Sequence, residues 1–350
     1  MKTYDNKPIV AIDLFCGAGG LTRGMLDAGI DVIGGFDIAP DAKYAYEQNN
    51  IRIDGTHCKY FNQDISEVES QQIFNLVGSR NKKALLLAGC APCQPFSAQN
   101  RNKQNSDIRR NLLLQFARLV RECQPEFVFM ENVPGLTKLA PHVFAEFLKS
   151  LKEAGIKYID YGIVNAKDYG VPQNRKRFVL LASANVPVSI PKPLYTPETY
   201  KTVKDAIIDF PPIEAGQNHT TVPNHKCAGL SEINLLRLKL IKQNRTELPE
   251  NLLLECHRNK TTHSDTYGRM YWDKPAPTLT TKFFSISNGR YAHPQQHRAI
   301  SLREGAALQT FPDDYVFTGS MQSIARQIGN AVPPLLAQRL IKTLVSGSGE

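Results

Sequence analysis

Apolar residues follow two alternating rhythms along the first half of the chain. The runs IVAIDLF (9–15), DVIGGFD (31–37) and ALLLAG (84–89) are continuous, short and rich in aliphatic side chains, the pattern of strands covered on both faces. Stretches of helical spacing separate them near residues 21–28 and 40–49. Further on, Leu112, Leu113, Phe116, Leu119 and Val120 recur three and four apart, while Arg109, Arg110, Arg118 and Arg121 fall mostly off that stripe. Such spacing predicts an amphipathic helix packed on a sheet. The strand FVFMENV (127–133) follows, then a helix carrying Phe144, Phe147, Leu148 and Leu151 and stopped at Gly155, then the strand RFVLLASA (177–184). This βαβα order predicts an α/β fold with a doubly wound, mostly parallel sheet.

The rhythm breaks at Pro187. From there to about Gln296 the chain is rich in proline, asparagine, threonine and histidine, with one clear helix at 231–242 and short strand-like pieces such as APTLTTK (276–282). Helical spacing returns at Leu335, Leu336, Leu340, Ile341 and Leu344. With 350 residues and 42% hydrophobic side chains, the chain can bury one large core and a smaller second one. The expected division is a large domain over 1–186, a second and smaller domain over 187–296, a hinge segment over 297–328, and a C-terminal helix over 329–350 that returns to the first domain.

Charge narrows the choice of partner. Forty-two Lys and Arg against 33 Asp and Glu give a net charge of +9, which suits a polyanion. No run approaches the length of a membrane span, and the opening MKTYDNKPIV lacks the apolar centre of a signal peptide, so a cytoplasmic protein is expected. Seven scattered cysteines, an odd number, argue against a disulfide framework and leave at least one thiol to react.

Two stretches carry candidate chemistry. In DLFCGAGG (13–20) a strand runs into glycines that allow a tight turn and bring main-chain amides to a ligand at a helix start. The spacing departs from the G-x-G-x-x-G that seats a pyrophosphate, which disfavours a nicotinamide enzyme. Asp37 ends the next strand, placed to accept hydrogen bonds from ribose hydroxyls. Together they fit an adenosine ligand without a pyrophosphate, S-adenosylmethionine being the obvious candidate; the alternative is a plain turn with Asp37 capping a helix. In GCAPCQPFS (89–97), Cys93 follows a buried strand and stands between Pro92 and Gln94-Pro95, which would hold its sulfur in one direction. The pair Cys90 and Cys93 is also a C-x-x-C, but no second pair supports zinc and no tryptophan precedes it as in a thioredoxin site.

In order along the chain these two motifs join FDI (36–38), QDI (63–65), ENV (131–133), QNRKR (173–177), RAISLREGAALQTFPDDY (298–315) and GNAVPP (329–334). The set resembles the cytosine-5 DNA methyltransferases of bacterial restriction-modification systems, over almost the whole chain outside 187–296. The resemblance implies a Rossmann-like fold of the S-adenosylmethionine-dependent type, with S-adenosylhomocysteine as product. It implies Cys93 as the nucleophile that adds to C6 of a flipped-out cytosine, and Glu131 as the acid at N3 and the exocyclic amine. Arg175 would approach the base carbonyl and help ionise the thiol, with Arg177 in support; Gln173, Arg175 and Arg177 alternate as along one side of a strand. Phe15, Gly17, Ala18, Gly19 and Gly20, with Pro92 and Asn330, would surround the methionine part of the cofactor. Asp37 and Ile38 would meet ribose and adenine, and Asp64 the adenine amine. Gln94, Phe96, Ser97 and Gln173 would face the base or the DNA. Where Ala331 stands, the family motif more often has serine.

The same resemblance makes 187–296 the target recognition domain, with phosphate and guanine donors among its basic residues from Lys192 to Arg290, Arg237 and Arg269 included. His225, Cys227, Cys256, His257 and His263 also lie there, at spacings that fit no common zinc finger, and no metal is expected. The expected partner is double-stranded DNA, methylated by a monomer in the bacterial cytoplasm and nucleoid, with any cognate restriction endonuclease acting independently; the sequence leaves open whether one exists. Two other readings share the motifs: a tRNA cytosine-5 methyltransferase, and a catalytically silent DNA-binding relative.

Overall fold

A computed structural model describes residues 1–91, 106–243, 248–253 and 265–346, with residues 106–111 as backbone alone. The chain divides into two units: Met1–Asn165 with Lys176–Leu194 and Val332–Glu350, and Ala166–Arg175 with Tyr195–Ala331.

In the first unit the strands are β1 (Thr3–Tyr4), β2 (Lys7–Leu14), β3 (Asp31–Asp37), β4 (Lys59–Asn62), β5 (Ala84–Gly89), β6 (Phe127–Asn132), β7 (Tyr158–Asn165) and β8 (Lys176–Ser183). They form one sheet in the order β4-β3-β2-β5-β6-β8-β7, with β1 pairing beside β2. Pairings from β4 through to β6 are parallel; β8 runs antiparallel to both β6 and β7. The order steps outward in both directions from β2 and β5, so their carboxyl ends, paired at Leu14 and Gly89, form the switch point where open α/β sheets bind ligands.

The helices of this unit are α1 (Gly20–Asp27), α2 (Lys43–Asn49), α3 (Ser70–Val77), α4 (Ser106–Cys123), α5 (Leu136–Leu139), α6 (Pro141–Glu153) and a C-terminal helix, Pro334–Ser346. Sheet residues of one parity, such as Ile12, Leu87, Met130 and Leu180, pack with Phe116 of α4 and Phe147 of α6 in a continuous apolar core. Those of the other parity, such as Ala11, Leu86, Phe129 and Leu181, are fully buried too, on the side where α1 and the C-terminal helix pack against the strands. Burial of the central strands β2, β3, β5, β6 and β8 on both faces explains why they read in sequence as unbroken apolar runs.

Helix α1 meets the C-terminal helix at Gly24. A Cβ there would lie 2.4 Å from the Ala337 Cβ and 2.6 Å from the Pro334 carbonyl oxygen. Gly24→Ala should therefore force the helices apart and cost about 1–3 kcal/mol, measured as a fall in the urea midpoint. An unchanged midpoint would refute the close crossing.

The second unit has few ladders. Among the described residues its helices are α7 (Val203–Ile207), α8 (Glu232–Leu240), α9 (Leu302–Leu308) and α10 (Met321–Asn330). APTLTTK contributes only the pair Ala276–Pro277, parallel to Gln173–Asn174, because Pro275 and Pro277 remove ladder donors. Irregular backbone leaves carbonyl groups that must still be paired, and buried arginines pair many of them. Arg269 donates to the carbonyls of Leu238, Ile241, His293 and Gln296, and Arg303 to those of Pro223, Pro312 and Tyr315. Arg237 donates to Leu252 O and Asn234 Oδ1. Arg237 and Arg269 are thus part of the interior, not donors to nucleic acid, a correction to the expectation from sequence.

Candidate active site

The glycine turn lies at the end of β2, as its residues dictate. Phe15 takes φ +61°, Gly17 +49° and Gly19 +88°, a left-handed sequence that glycine adopts freely and phenylalanine only under constraint. Local bonds supply that constraint. Cys16 N donates to Phe36 O at 3.1 Å, Gly17 N to Asp37 Oδ2 at 2.9 Å, and Gly19 N to Cys16 O at 2.9 Å. Among the described residues a Cβ at Gly17 would meet nothing within 4 Å, so the turn is open toward them. Ala18 and Gly20 are buried behind it.

Asp37 and Asp64 stand at neighbouring strand ends, since β3 and β4 pair Asp37 with Asn62. Asp37 accepts Gly17 N on Oδ2 and Ala39 N on Oδ1, each at 2.9 Å. Burial raises its pKa, against the lowering effect of these amides. Ile38, next in sequence, is 64% exposed, an apolar surface beside a hydrogen-bonding carboxylate. Asp64 Oδ1 accepts the main-chain N and the Oγ of Ser66, capping a short helical turn. An open glycine turn, a carboxylate and an exposed aliphatic side chain on one strand edge fit the adenosine and methionine parts of S-adenosylmethionine.

At the end of β6, Glu131 Oε1 pairs with Arg177 Nε at 2.9 Å, in a pocket where both side chains are mostly shielded. Arg177 lies on β8 two residues from Val179, the ladder partner of Glu131, and so projects from the same face of the sheet as Glu131. Cys90, just past β5, adjoins this pair: its thiol is held well above the ordinary range by burial first and by the Glu131 charge next, with Arg177 opposing. Asn132 donates Nδ2 to Ala91 O at 3.1 Å and accepts Val133 N on Oδ1. Its side chain therefore clamps the segment leading into Cys93. Sequence reasoning missed this role, because only Glu131 in ENV carries titratable chemistry. Pro92, Cys93, Gln94, Phe96 and Ser97 lie outside the described residues.

The QNRKR segment is not one strand. Gln173–Asn174 pairs inside the second unit, β8 begins at Lys176 in the first, and Arg175 falls between. The expected alternation along a single strand is therefore broken. Arg175 is buried, donating to Leu279 O, Gly329 O and Ala331 O at 3.0–3.1 Å. Gln173 is buried as well, donating to Leu308 O and Gln309 Oε1 and accepting Leu279 N. The arginine beside Glu131 is Arg177. Asn330 is exposed at the end of α10.

Of the residues that resembled a zinc set, His225 uses both ring nitrogens, with Ser301 Oγ and Pro211 O, and Cys227 donates to Glu214 O. Cys256, His257 and His263 lie outside the described residues. No group of His, Cys, Asp or Glu suited to a metal occurs among the described residues. Among the described residues no helix is long and apolar enough to cross a membrane.

An enzyme of the S-adenosylmethionine-dependent methyltransferase fold is what this sheet and its switch-point residues define. The chain belongs to the family of C-5 cytosine-specific DNA methylases, whose description it matches over residues 9–346. It is 41% identical over 342 residues to the type II methylase M.HgiDII of Herpetosiphon aurantiacus, covering 95% of this chain and 94% of that one. It is 33% identical over 340 residues to the type II methyltransferase M1.HphI of Haemophilus parahaemolyticus, covering 95% and 86%. In fold it is similar to the crystal structure of S. pombe Dnmt2 methyltransferase, with a TM-score of 0.65 at 19% identity over 97% of this chain and 98% of that one.

Proposed function

We propose that the protein methylates C5 of a cytosine rotated out of a specific DNA duplex, through a covalent bond between Cys93 and C6. The observation that carries this reading is the Glu131–Arg177 pair at the same sheet edge as the glycine turn and the clamped entry to Cys93. Cytosine C5 is too weak a nucleophile to accept a methyl group unaided. Addition of the Cys93 thiolate to C6 makes the ring an enamine and C5 electron-rich; loss of the C5 proton and expulsion of the thiolate later restore the ring. S-adenosylmethionine supplies the electrophilic methyl group. It would be held by Phe15, Gly17, Ala18, Gly19, Gly20, Asp37, Ile38 and Asp64.

Charge that develops on the ring needs a partner at N3. Glu131 supplies it, and Arg177 fixes the carboxyl by holding Oε1 so that Oε2 remains for the base. Glu131→Gln keeps the shape and removes the acid, so kcat should fall about 10²–10³-fold with little change in cofactor affinity, measured by methyl incorporation and calorimetry. Undiminished kcat would remove Glu131 from the chemistry.

The second unit is the DNA-reading part of this proposal. Extrusion of the base costs a few kcal/mol that contacts to the duplex must offset, and the basic composition suits such contacts. We also propose that the protein acts as a monomer in the cytoplasm, independently of any cognate restriction endonuclease. A tritiated-methyl assay offering duplex DNA and tRNA side by side tests the substrate: label in DNA at cytosine C5 supports the reading, whereas label confined to tRNA replaces it.

A further inference from the structure

We propose that Asp13 makes the cofactor site selective for charge, favouring the sulfonium form of the ligand over its neutral thioether product. The inference rests on the assignment of S-adenosylmethionine to the glycine turn. Asp13 is on β2, the central strand, four residues before Gly17, and is paired in register with Gly35 on one side and Ala88 on the other. It is fully buried. Oδ2 accepts the Thr22 hydroxyl of α1 at 2.6 Å, and that hydroxyl lies 3.0 Å from the hydroxyl of Tyr46 on α2. Oδ1 is shielded from solvent and has no hydrogen-bond partner among the described residues.

A carboxyl half-satisfied and sealed under a ligand turn is costly when ionised, unless positive charge arrives nearby. The titratable groups that act on it, or on which it acts, come from every element around it. They are Cys16 in the turn, Asp37 at the end of β3, Tyr46 on α2, Cys58 ahead of β4 and Cys90 after β5. Among the described residues each is neutral or an anion, and no cation is among them. The Asp13 carboxyl is accordingly raised to about 7, chiefly by burial and then, against the Thr22 bond, by Asp37. The cofactor's sulfur is positively charged before methyl transfer and neutral after it, and the two ligands are otherwise alike in charge. By linkage, a ligand that brings a cation near Asp13 lowers its proton affinity, and an ionised Asp13 raises that ligand's affinity by the same factor.

The sign follows. Above about pH 7 Asp13 is ionised and should favour S-adenosylmethionine; below it the carboxyl is neutral and the preference fades. Calorimetry of the intact protein with each compound from pH 5.5 to 8.5 should show the ratio of the two dissociation constants, product over cofactor, rising about fivefold or more. Near pH 7 S-adenosylmethionine should release protons to the buffer and S-adenosylhomocysteine should not. Asp13→Asn should flatten the ratio. Should that variant fail to fold, Thr22→Val carries the test: loss of the hydroxyl bond raises the Asp13 proton affinity, so the same rise should move to higher pH. An Asn variant with the wild-type slope, or a Val variant with an unmoved midpoint, overturns the inference. Failure of either compound to bind at any pH would instead remove the cofactor assignment beneath it.

Discussion

Replacing Cys93 by alanine should abolish turnover, with kcat lowered at least about 10⁴-fold, while S-adenosylmethionine binds within about twofold of its normal affinity. The two halves of this result belong together. In the proposed mechanism the thiol acts on the base alone and the cofactor is held at the ends of β2, β3 and β4, so removing the sulfur leaves the glycine turn and Asp37 intact. A duplex carrying 5-fluorocytosine at the target should trap the normal protein as an adduct stable to denaturation, because fluorine cannot leave as the C5 proton does. The alanine variant should form none. Residual turnover within tenfold of normal would mean that the sulfur is not the nucleophile.

The largest effect on stability should come from Glu304→Gln in the second unit. Glu304 is wholly buried and receives Arg298 through two bonds of 2.7 Å, and also accepts the Ser301 N–H that starts α9. Burial pushes its carboxyl up, but the Arg298 bond and charge, His293 and the Ser301 amide outweigh this and hold it below the ordinary carboxylate range. His293, 3.8 Å away, adds little at neutral pH, since burial pushes its pKa down to about 4 and leaves it uncharged. Glutamine would strand the Arg298 charge in the interior, at a cost of about 3–5 kcal/mol. Urea unfolding of the variant should show that loss and, because the pair is shielded from ions, the same loss at high salt. A change below about 1 kcal/mol would place the pair among weak surface bridges.

Much of the first unit was legible in the sequence because its central strands are buried on both faces. The runs at 31–37 and 84–89 read as strands with the bounds found. Strands β4 and β7 were not read, since they lie at the edges of the sheet and alternate with exposed residues such as Tyr161 and Ile163. Helix α9 was not read either: nearly all its residues are buried, so no polar face marks its period. The candidate site was legible where residue type alone nominates a side chain, as at Asp37 and Glu131. It was not where a side chain's direction decides. Arg175 and Arg177 differ in surroundings because β8 begins between them, and Asn132 matters through one bond to Ala91.

Buried guanidinium groups in the second unit fasten its backbone at separate points, whereas a ladder fastens it all along. Segments between two such fastenings can lengthen, shorten or change sequence without dissolving the whole. Chimaeras with related enzymes should therefore keep Arg269, Arg298 and Arg303 together with the carbonyl groups that each one gathers, and exchange only the spans that these arginines leave untouched. On the proposed function, a fold secured this way can acquire a new target sequence while its frame stays the same.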